Sequence, residues 1–221
     1  MNAFRTILAK DLRTELRTLE SVPAMALFAA TTFVLFRFGL DRQSLDGALA
    51  AGVLLATILF AAILAINRAF VAEREQGGFD VIRLAPIDGA ALYAAKVVAL
   101  IAYLVALELI AVPLFALLFG GTSGLLALAP VLLLVDLGLA AIGALVSSLA
   151  VHSRARDLIA PLLLLPLLVP VMIAAGAAAE PLLAAAGPSF SGVGKWVAVL
   201  ALYDVVFCLV GYAVYDFVLE D

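Results

Sequence analysis

Apolar residues occur in six long runs along the chain, separated by short polar segments. The runs cover about residues 22–38, 47–66, 97–119, 125–151, 158–178 and 193–218. A helix of roughly 20 mostly apolar residues crosses the roughly 30 Å hydrocarbon core of a bilayer. Backbone groups in lipid must be bonded internally, and no run alternates like a barrel strand. We therefore predict an all-α, polytopic membrane protein, with six transmembrane helices in a single domain over residues 1–221.

Residues 4–20 precede the first run and show the periodicity of an amphipathic helix. The apolar positions recur at spacings of three and four, and are Phe4, Ile7, Leu8, Leu12, Leu16 and Leu19. The charged residues mostly take the other side. Such a helix lies in the membrane interface with its basic residues toward lipid headgroups. A cleaved signal peptide is the alternative, but its charged region would be unusually long.

The longest polar interruption, residues 67–96, joins the second and third runs. A helical pattern at its start is followed by Gly77 and Gly78, then by a short amphipathic pattern that ends at Pro86. Asp88 is placed as the N-cap of the helix that leads into the third run. We interpret the short amphipathic element as a rigid lever across the mouths of two spans. A solvated loop on the membrane surface is the alternative.

The Lys and Arg residues predict the orientation of the chain. If the N-terminus lies inside, the outer side holds only Arg37, Arg42 and Lys195 of the 13 basic residues. An excess of basic residues marks the cytoplasmic side of a membrane protein. Both termini and residues 67–96 are therefore expected to face the cytoplasm.

Composition supports the membrane class and excludes several functions. Hydrophobic residues make up 66% of the chain, mean hydropathy is +1.21, and only 14% of residues are charged. Soluble domains carry about a quarter charged residues. No part resembles a nucleic-acid-binding surface. With one Cys and one His, the sequence suggests no metal site, and we predict no catalytic residues on this chain.

Three carboxylic residues, Glu108, Asp136 and Asp204, fall inside the third, fourth and sixth runs. A charge at the bilayer centre costs at least about 2.5–3.5 kcal/mol, so each requires a partner, a watery cavity or a proton. No Lys or Arg lies at a matching depth. Two interpretations remain open: a functional site such as a proton relay, or hydrogen-bonded carboxyl groups that fix the packing of the spans.

Two further segments each allow two interpretations. The fifth run contains Pro161, Pro166 and Pro170, which favour either a gating helix or a bent packing helix. The outer connection over residues 179–194 suits either a short re-entrant helix or an irregular loop.

Residues 67–96 resemble the segment between spans two and three in the ABC-2 family of ABC permeases. The matching residues are Arg68, Glu75-x-x-Gly78, Phe79-Asp80-Val81-Ile82-Arg83-Leu84, Ala85-Pro86 and Lys96. Within that group the chain resembles the CcmB family, the haem exporter permease subunits of cytochrome c maturation. The sequence KDLRTELRT at residues 10–18, the length and the short outer loops carry this second resemblance.

The resemblance implies a role that the residues alone do not. An ATP-hydrolysing subunit, CcmA, would dock on a cytoplasmic coupling helix. The residues implied in that contact are Arg68, Glu73, Arg74, Glu75, Gly77, Gly78, Phe79, Asp80, Arg83 and Pro86. ATP and magnesium would bind to the partner, since this chain has no Walker A pattern. The complex would also contain CcmC, CcmD and two copies of this chain, and would act on the haem chaperone CcmE.

The expected function is coupling of ATP hydrolysis to haem export, or to release of the haem-loaded chaperone, at the bacterial inner membrane. Haem is a candidate substrate, and we expect no cofactor bound by this chain itself. The first alternative is a proton- or ion-coupled secondary transporter that uses Glu108, Asp136 and Asp204. The second alternative is a membrane scaffold that moves nothing.

Overall fold

The computed structural model describes residues 3–42, 44–75, 88–120, 124–150 and 156–220, and within these ranges every regular element is a helix. Seven helices occur there: α1 Ala3–Thr18, α2 Ser21–Gly39, α3 Gly47–Glu75, α4 Gly89–Phe119, α5 Leu125–Ala150, α6 Arg156–Leu182 and α7 Val193–Glu220. Helices α2 to α7 are long and apolar enough to cross a membrane. The predicted class, an all-α polytopic membrane protein, is confirmed.

The helix of the third span begins well before the apolar run at residue 97. Helix α4 starts at Gly89, and the Asp88 carboxylate accepts a hydrogen bond from the Ala90 N–H at 3.1 Å. Since the first N–H groups of a helix have no partner within it, a side-chain acceptor stabilises its start. The predicted N-cap is confirmed.

Helices α3 and α5 form the centre of the bundle, and α2 and α7 lie at its edges. Helix α6 packs against α3, α5 and α7, while α4 packs against α1, α2, α5 and α7. In the C-terminal halves of α2 and α4, an aromatic cluster holds the two helices together. The ring of Phe33 lies 5.4 Å from that of Phe115, which lies 5.0 Å from that of Phe119.

The apolar side of α1 is divided between the protein core and the surroundings. Ile7 is buried, and Leu8 and Leu12 pack against the core, so α1 lies on α4. Leu16 and Leu19 are 74% and 59% exposed. The amphipathic helix expected from the sequence is present, but only its C-terminal apolar residues are free to contact lipid. The rest are covered because α4 extends beyond its apolar run.

The outer connection over residues 179–194 contains no re-entrant helix. Helix α6 continues to Leu182, and turns fill the interval before α7 begins at Val193. The Gly47 N–H donates to the Leu183 carbonyl at 2.8 Å, which ties the start of α3 to this segment. The alternative of an irregular loop therefore describes the part after Leu182.

Helix α6 runs continuously through Pro161, Pro166 and Pro170. Neighbouring helices in a membrane bundle tolerate such prolines. The gating interpretation stays a prediction.

Candidate functional site

The polar segment over residues 67–96, which we call the coupling segment, is described by the structure at both of its ends. Glu73, Arg74 and Glu75 belong to the last turns of α3, in agreement with the helical pattern there. The other predicted coupling residues of the central part lie outside the described residues, and are Gly77, Gly78, Phe79, Asp80, Arg83 and Pro86.

Arg68 contacts the turn between α1 and α2. Its guanidinium Nη1 donates a hydrogen bond to the Glu20 carbonyl at 2.7 Å. The sequence suggested Arg68 only as a contact for a partner. In the structure this side chain joins the C-terminal part of α3 to the residue before α2, so it also has a role within the chain.

At the start of α4, Lys96 forms an ion pair with α1. The Lys96 Nζ lies 2.8 Å from Asp11 Oδ2, and the two side chains are only 8% and 12% exposed. The Tyr103 hydroxyl donates to the Asp11 carbonyl at 3.1 Å. Lys10 lies 3.1 Å from the other Asp11 oxygen. Asp11 of α1 thus contacts two side chains of α4, those of Lys96 and Tyr103.

Glu15 links α1 to α2 at the elbow between them. Its Oε1 accepts hydrogen bonds from the Ser21 and Val22 N–H groups, each at 2.9 Å. A carboxylate at this place satisfies two unpaired donors and interacts favourably with the helix dipole.

Asp11 and Glu15 were not predicted to make contacts within the chain, and the charged residues of α1 were expected mostly on its polar side. These two residues follow Ile7 at spacings of four, so they lie on the side of α1 that faces the bundle. That spacing was a usable signal, because a carboxylate on an apolar face needs a partner across the interface.

The structure brings two of the three intramembrane carboxyl groups together. Glu108 of α4 interacts electrostatically with Asp136 of α5. Asp136 has no exposed surface, and neither of its oxygens makes a hydrogen bond with any described residue. Glu108 is partly buried, and its Oε1 is likewise without a hydrogen bond in the described part of the chain.

Asp204 of α7 lies against a different face of α5. A Cβ atom added to Gly138 would stand 2.7 Å from Asp204 Oδ1, so glycine makes room for this carboxyl. Positions 136 and 138 point about 160° apart around a helix of 3.6 residues per turn. The three acids therefore form a pair on one side of α5 and a single group on the other. Among the residues described, no three potential ligands are grouped to hold a metal ion.

Near the start of α4, Tyr93 joins three helices. Its hydroxyl, on α4, lies 3.2 Å from the Ala141 carbonyl of α5 and 3.3 Å from the Phe207 carbonyl of α7. A Cβ atom added to Gly211 would stand 2.2 Å from the Tyr93 ring. This contact holds the start of α4 firmly in the bundle, next to Lys96.

Comparison with known proteins gives one result that covers almost the whole chain. A family model described as CcmB protein matches residues 2–218. A search of curated proteins found no match. Within the described residues, the match covers six helices in full and α7 as far as residue 218. The chain therefore belongs to the CcmB family, the transmembrane permease components of cytochrome c biogenesis.

Proposed function

We propose that this chain is the permease subunit of an ABC transporter complex, in which ATP hydrolysis on a separate subunit drives haem export or the release of a haem-loaded chaperone. The observation that carries the proposal is the family match over residues 2–218. The proposed partners are CcmA, which binds ATP and magnesium, the membrane subunits CcmC and CcmD, and the chaperone CcmE. We place two copies of this chain in the bacterial inner membrane, with both termini cytoplasmic.

The lengths of α3 and α4 support a coupling role for their cytoplasmic ends. They contain 29 and 31 residues. At 1.5 Å per residue these helices are about 43 Å and 46 Å long, whereas the hydrocarbon core is about 30 Å thick. Residues 67–75 of α3 and residues 89–96 of α4 lie at the two helix ends that residues 76–88 join. A subunit bound there would push on two stiff helices that continue across the membrane.

Arg68 and Lys96 further support this role. Each lies in the part of its helix that extends beyond the apolar run, and each is bonded to α1 or to the turn after it. A force applied to the segment between α3 and α4 would therefore act on two helix ends that are connected through α1 and the turn after it.

In this proposal the chain transmits energy and does not hold haem tightly. Haem iron is usually bound by His, Met, Cys or Tyr. The sequence has one His, His152, in a predicted inner loop outside the described residues, and offers no His pair on the outer side. Equimolar haem retained by the purified chain, with an axial ligand traced to it, would contradict this part of the proposal.

The test is co-purification of the ATP-binding subunit with coupling-segment variants. We expect Glu75→Ala and Gly78→Val to lose that subunit while the chain stays in the membrane. The control is Glu180→Ala, because Glu180 is exposed at the opposite end of the bundle. Retention of the ATP-binding subunit by both coupling variants would contradict the proposal, as would its absence from the complex of the unmodified chain.

One observation favours a second candidate, a proton- or ion-coupled secondary transporter. Asp136 is fully buried without a hydrogen bond among the described residues, and Glu108 is its neighbour. A carrier that binds a cation or a proton would use such a pair. The amide variants of these residues, considered below, separate the two candidates.

A further inference from the structure

Helix α1 and the turn after it are bonded to the ends of three different helices. Asp11 pairs with Lys96 of α4, and Glu15 caps the start of α2. Directly after α1, the Glu20 carbonyl accepts a hydrogen bond from Arg68 of α3. These contacts lie far apart in the sequence but converge on one 16-residue helix and the turn that follows it.

The contacts with α4 fix α1 in both position and rotation. Lys96 and Tyr103 are seven residues apart, so they lie on the same face of α4, two turns from each other. Both reach Asp11, one at its carboxylate and the other at its carbonyl. The ion pair is nearly buried. Removing one partner of a nearly buried pair is costly, because the remaining charge loses a counter-charge at 2.8 Å where water has little access.

Apolar packing also holds α1 in place. Ile7 is buried, and Phe4, Leu8 and Leu12 lie against the core. The polar and apolar contacts of α1 with α4 therefore share one face of the helix. The opposite face carries the exposed Arg5, Arg13 and Arg17.

We propose that α1 and the cytoplasmic ends of α3 and α4 move as one rigid body, with Asp11 and Lys96 as the positioning residues that hold it together. This inference rests on the proposed function, because the motion is driven by ATP on the partner subunit. The contacts of α1 provide a route by which that motion reaches other helices. Through the capped elbow at Glu15, a displacement of α3 and α4 also moves α2, the first span.

The direct test measures distances between spin labels in the purified complex with its ATP-binding subunit. Cys208 is the only cysteine, so a Cys208→Ser background admits two labels at chosen sites. Thr6 on α1 and Val98 on α4 are exposed, and so is Leu126 near the outer end of α5. We expect the Thr6–Val98 distance to stay constant when ATP is added while the Thr6–Leu126 distance shifts. A shift of the Thr6–Val98 distance with ATP would overturn the inference.

Charge reversal tests the role of the ion pair itself. Asp11→Lys and Lys96→Asp should each broaden the Thr6–Val98 distance distribution, with the ATP-binding subunit still bound. Each should also abolish most of the cytochrome c output, measured as cytochrome c produced per amount of chain in the membrane. The exchange variant that carries both substitutions should restore a narrow distribution and much of the output. Arg13→Asp is the control, since it makes the same kind of charge change on the exposed face of α1.

Two results of the reversal experiment would count against the inference. One is a single variant with unchanged distances and output, and the other is an exchange variant no better than the single ones. If the single variants fail to assemble, Tyr103→Phe removes the hydroxyl that donates to the Asp11 carbonyl and should broaden the distribution more weakly. Failure of the proposed function is seen separately, as a purified complex without an ATP-binding chain.

Discussion

Asp136 lies at zero exposure beside Glu108, and its two oxygens have no hydrogen bond within the described part of the chain. Burying such a group without a partner is unfavourable, so its presence requires a reason. In the proposed permease the reason is packing: the pair joins α4, which leads out of the coupling segment, to the central helix α5. In the alternative, a proton- or ion-coupled secondary transporter, the reason is that the carboxyl pair binds a proton or a cation.

The amide variants Glu108→Gln and Asp136→Asn distinguish these reasons. They keep the shape of both side chains, so for a packing role we expect cytochrome c output to stay within about fivefold of normal, equivalent to about 1 kcal/mol. Asp136→Lys, which introduces the opposite charge, should prevent assembly. The measurement is cytochrome c produced per amount of chain in the membrane. Amide variants that assemble normally but produce none would instead support the carrier.

Gly211 provides a prediction about packing at Tyr93. Gly211→Ala places a methyl group against the Tyr93 ring, and overpacking of this kind costs about 1–3 kcal/mol. We expect a lower melting temperature in detergent. Gly176→Ala is the matched control, because Gly176 has open space around the added Cβ and lies inside α6.

That control should be neutral or slightly stabilising, since Ala favours helix more than Gly does. Equal melting temperatures for the two alanine variants would show that Tyr93 does not approach Gly211 as described. Tyr93 and Gly211 lie on different spans, and no local pattern in the sequence indicates such a contact. Asp11 and Glu15 are different: their contacts were not predicted either, but their helical spacing from Ile7 was a local signal of the buried face.

At the scale of elements, the hydrophobic pattern predicted the spans well because lipid imposes one simple requirement on each of them. The N-cap at Asp88 was also predictable, since capping depends on residues close in sequence. The packing of α1 was not. Its periodicity shows that one face is apolar, but the same face suits either lipid or protein, and only the position of α4 decides between them.

The elbow between α1 and α2 makes a testable contribution of its own. Glu15→Ala leaves the Ser21 and Val22 N–H groups without their acceptor, at a cost of about 1–2 kcal/mol. We expect hydrogen exchange of these two amides to increase at least about fivefold. Glu20→Ala is the control: Glu20 is the N-cap residue of α2, but its side chain makes no capping hydrogen bond.

Glu20→Ala should leave exchange at Ser21 and Val22 unchanged. If both variants raised exchange equally, the elbow would depend on general negative charge near the helix start rather than on the Glu15 contact.

At the scale of the whole molecule, the sequence predicted the class and the number of spans, whereas the neighbours of each span had to come from the structure. The central positions of α3 and α5 and the separation of Asp204 from the other two acids depend on tertiary packing. The resemblance to the CcmB family rests on the sequence KDLRTELRT at residues 10–18, the length and the short outer loops, and the match over residues 2–218 confirms it. The side of the membrane that the coupling segment faces stays a prediction.

The most direct test of the account is labelling of Arg83→Cys in a Cys208→Ser chain with a thiol reagent that does not cross membranes. We expect no labelling in intact cells, labelling in inverted membrane vesicles, and slower labelling there when the ATP-binding subunit is bound. Ser189→Cys, on the outer connection, should show the opposite sidedness. Labelling of Arg83→Cys in intact cells would contradict the central claim that a cytoplasmic ATPase drives this permease through residues 67–96.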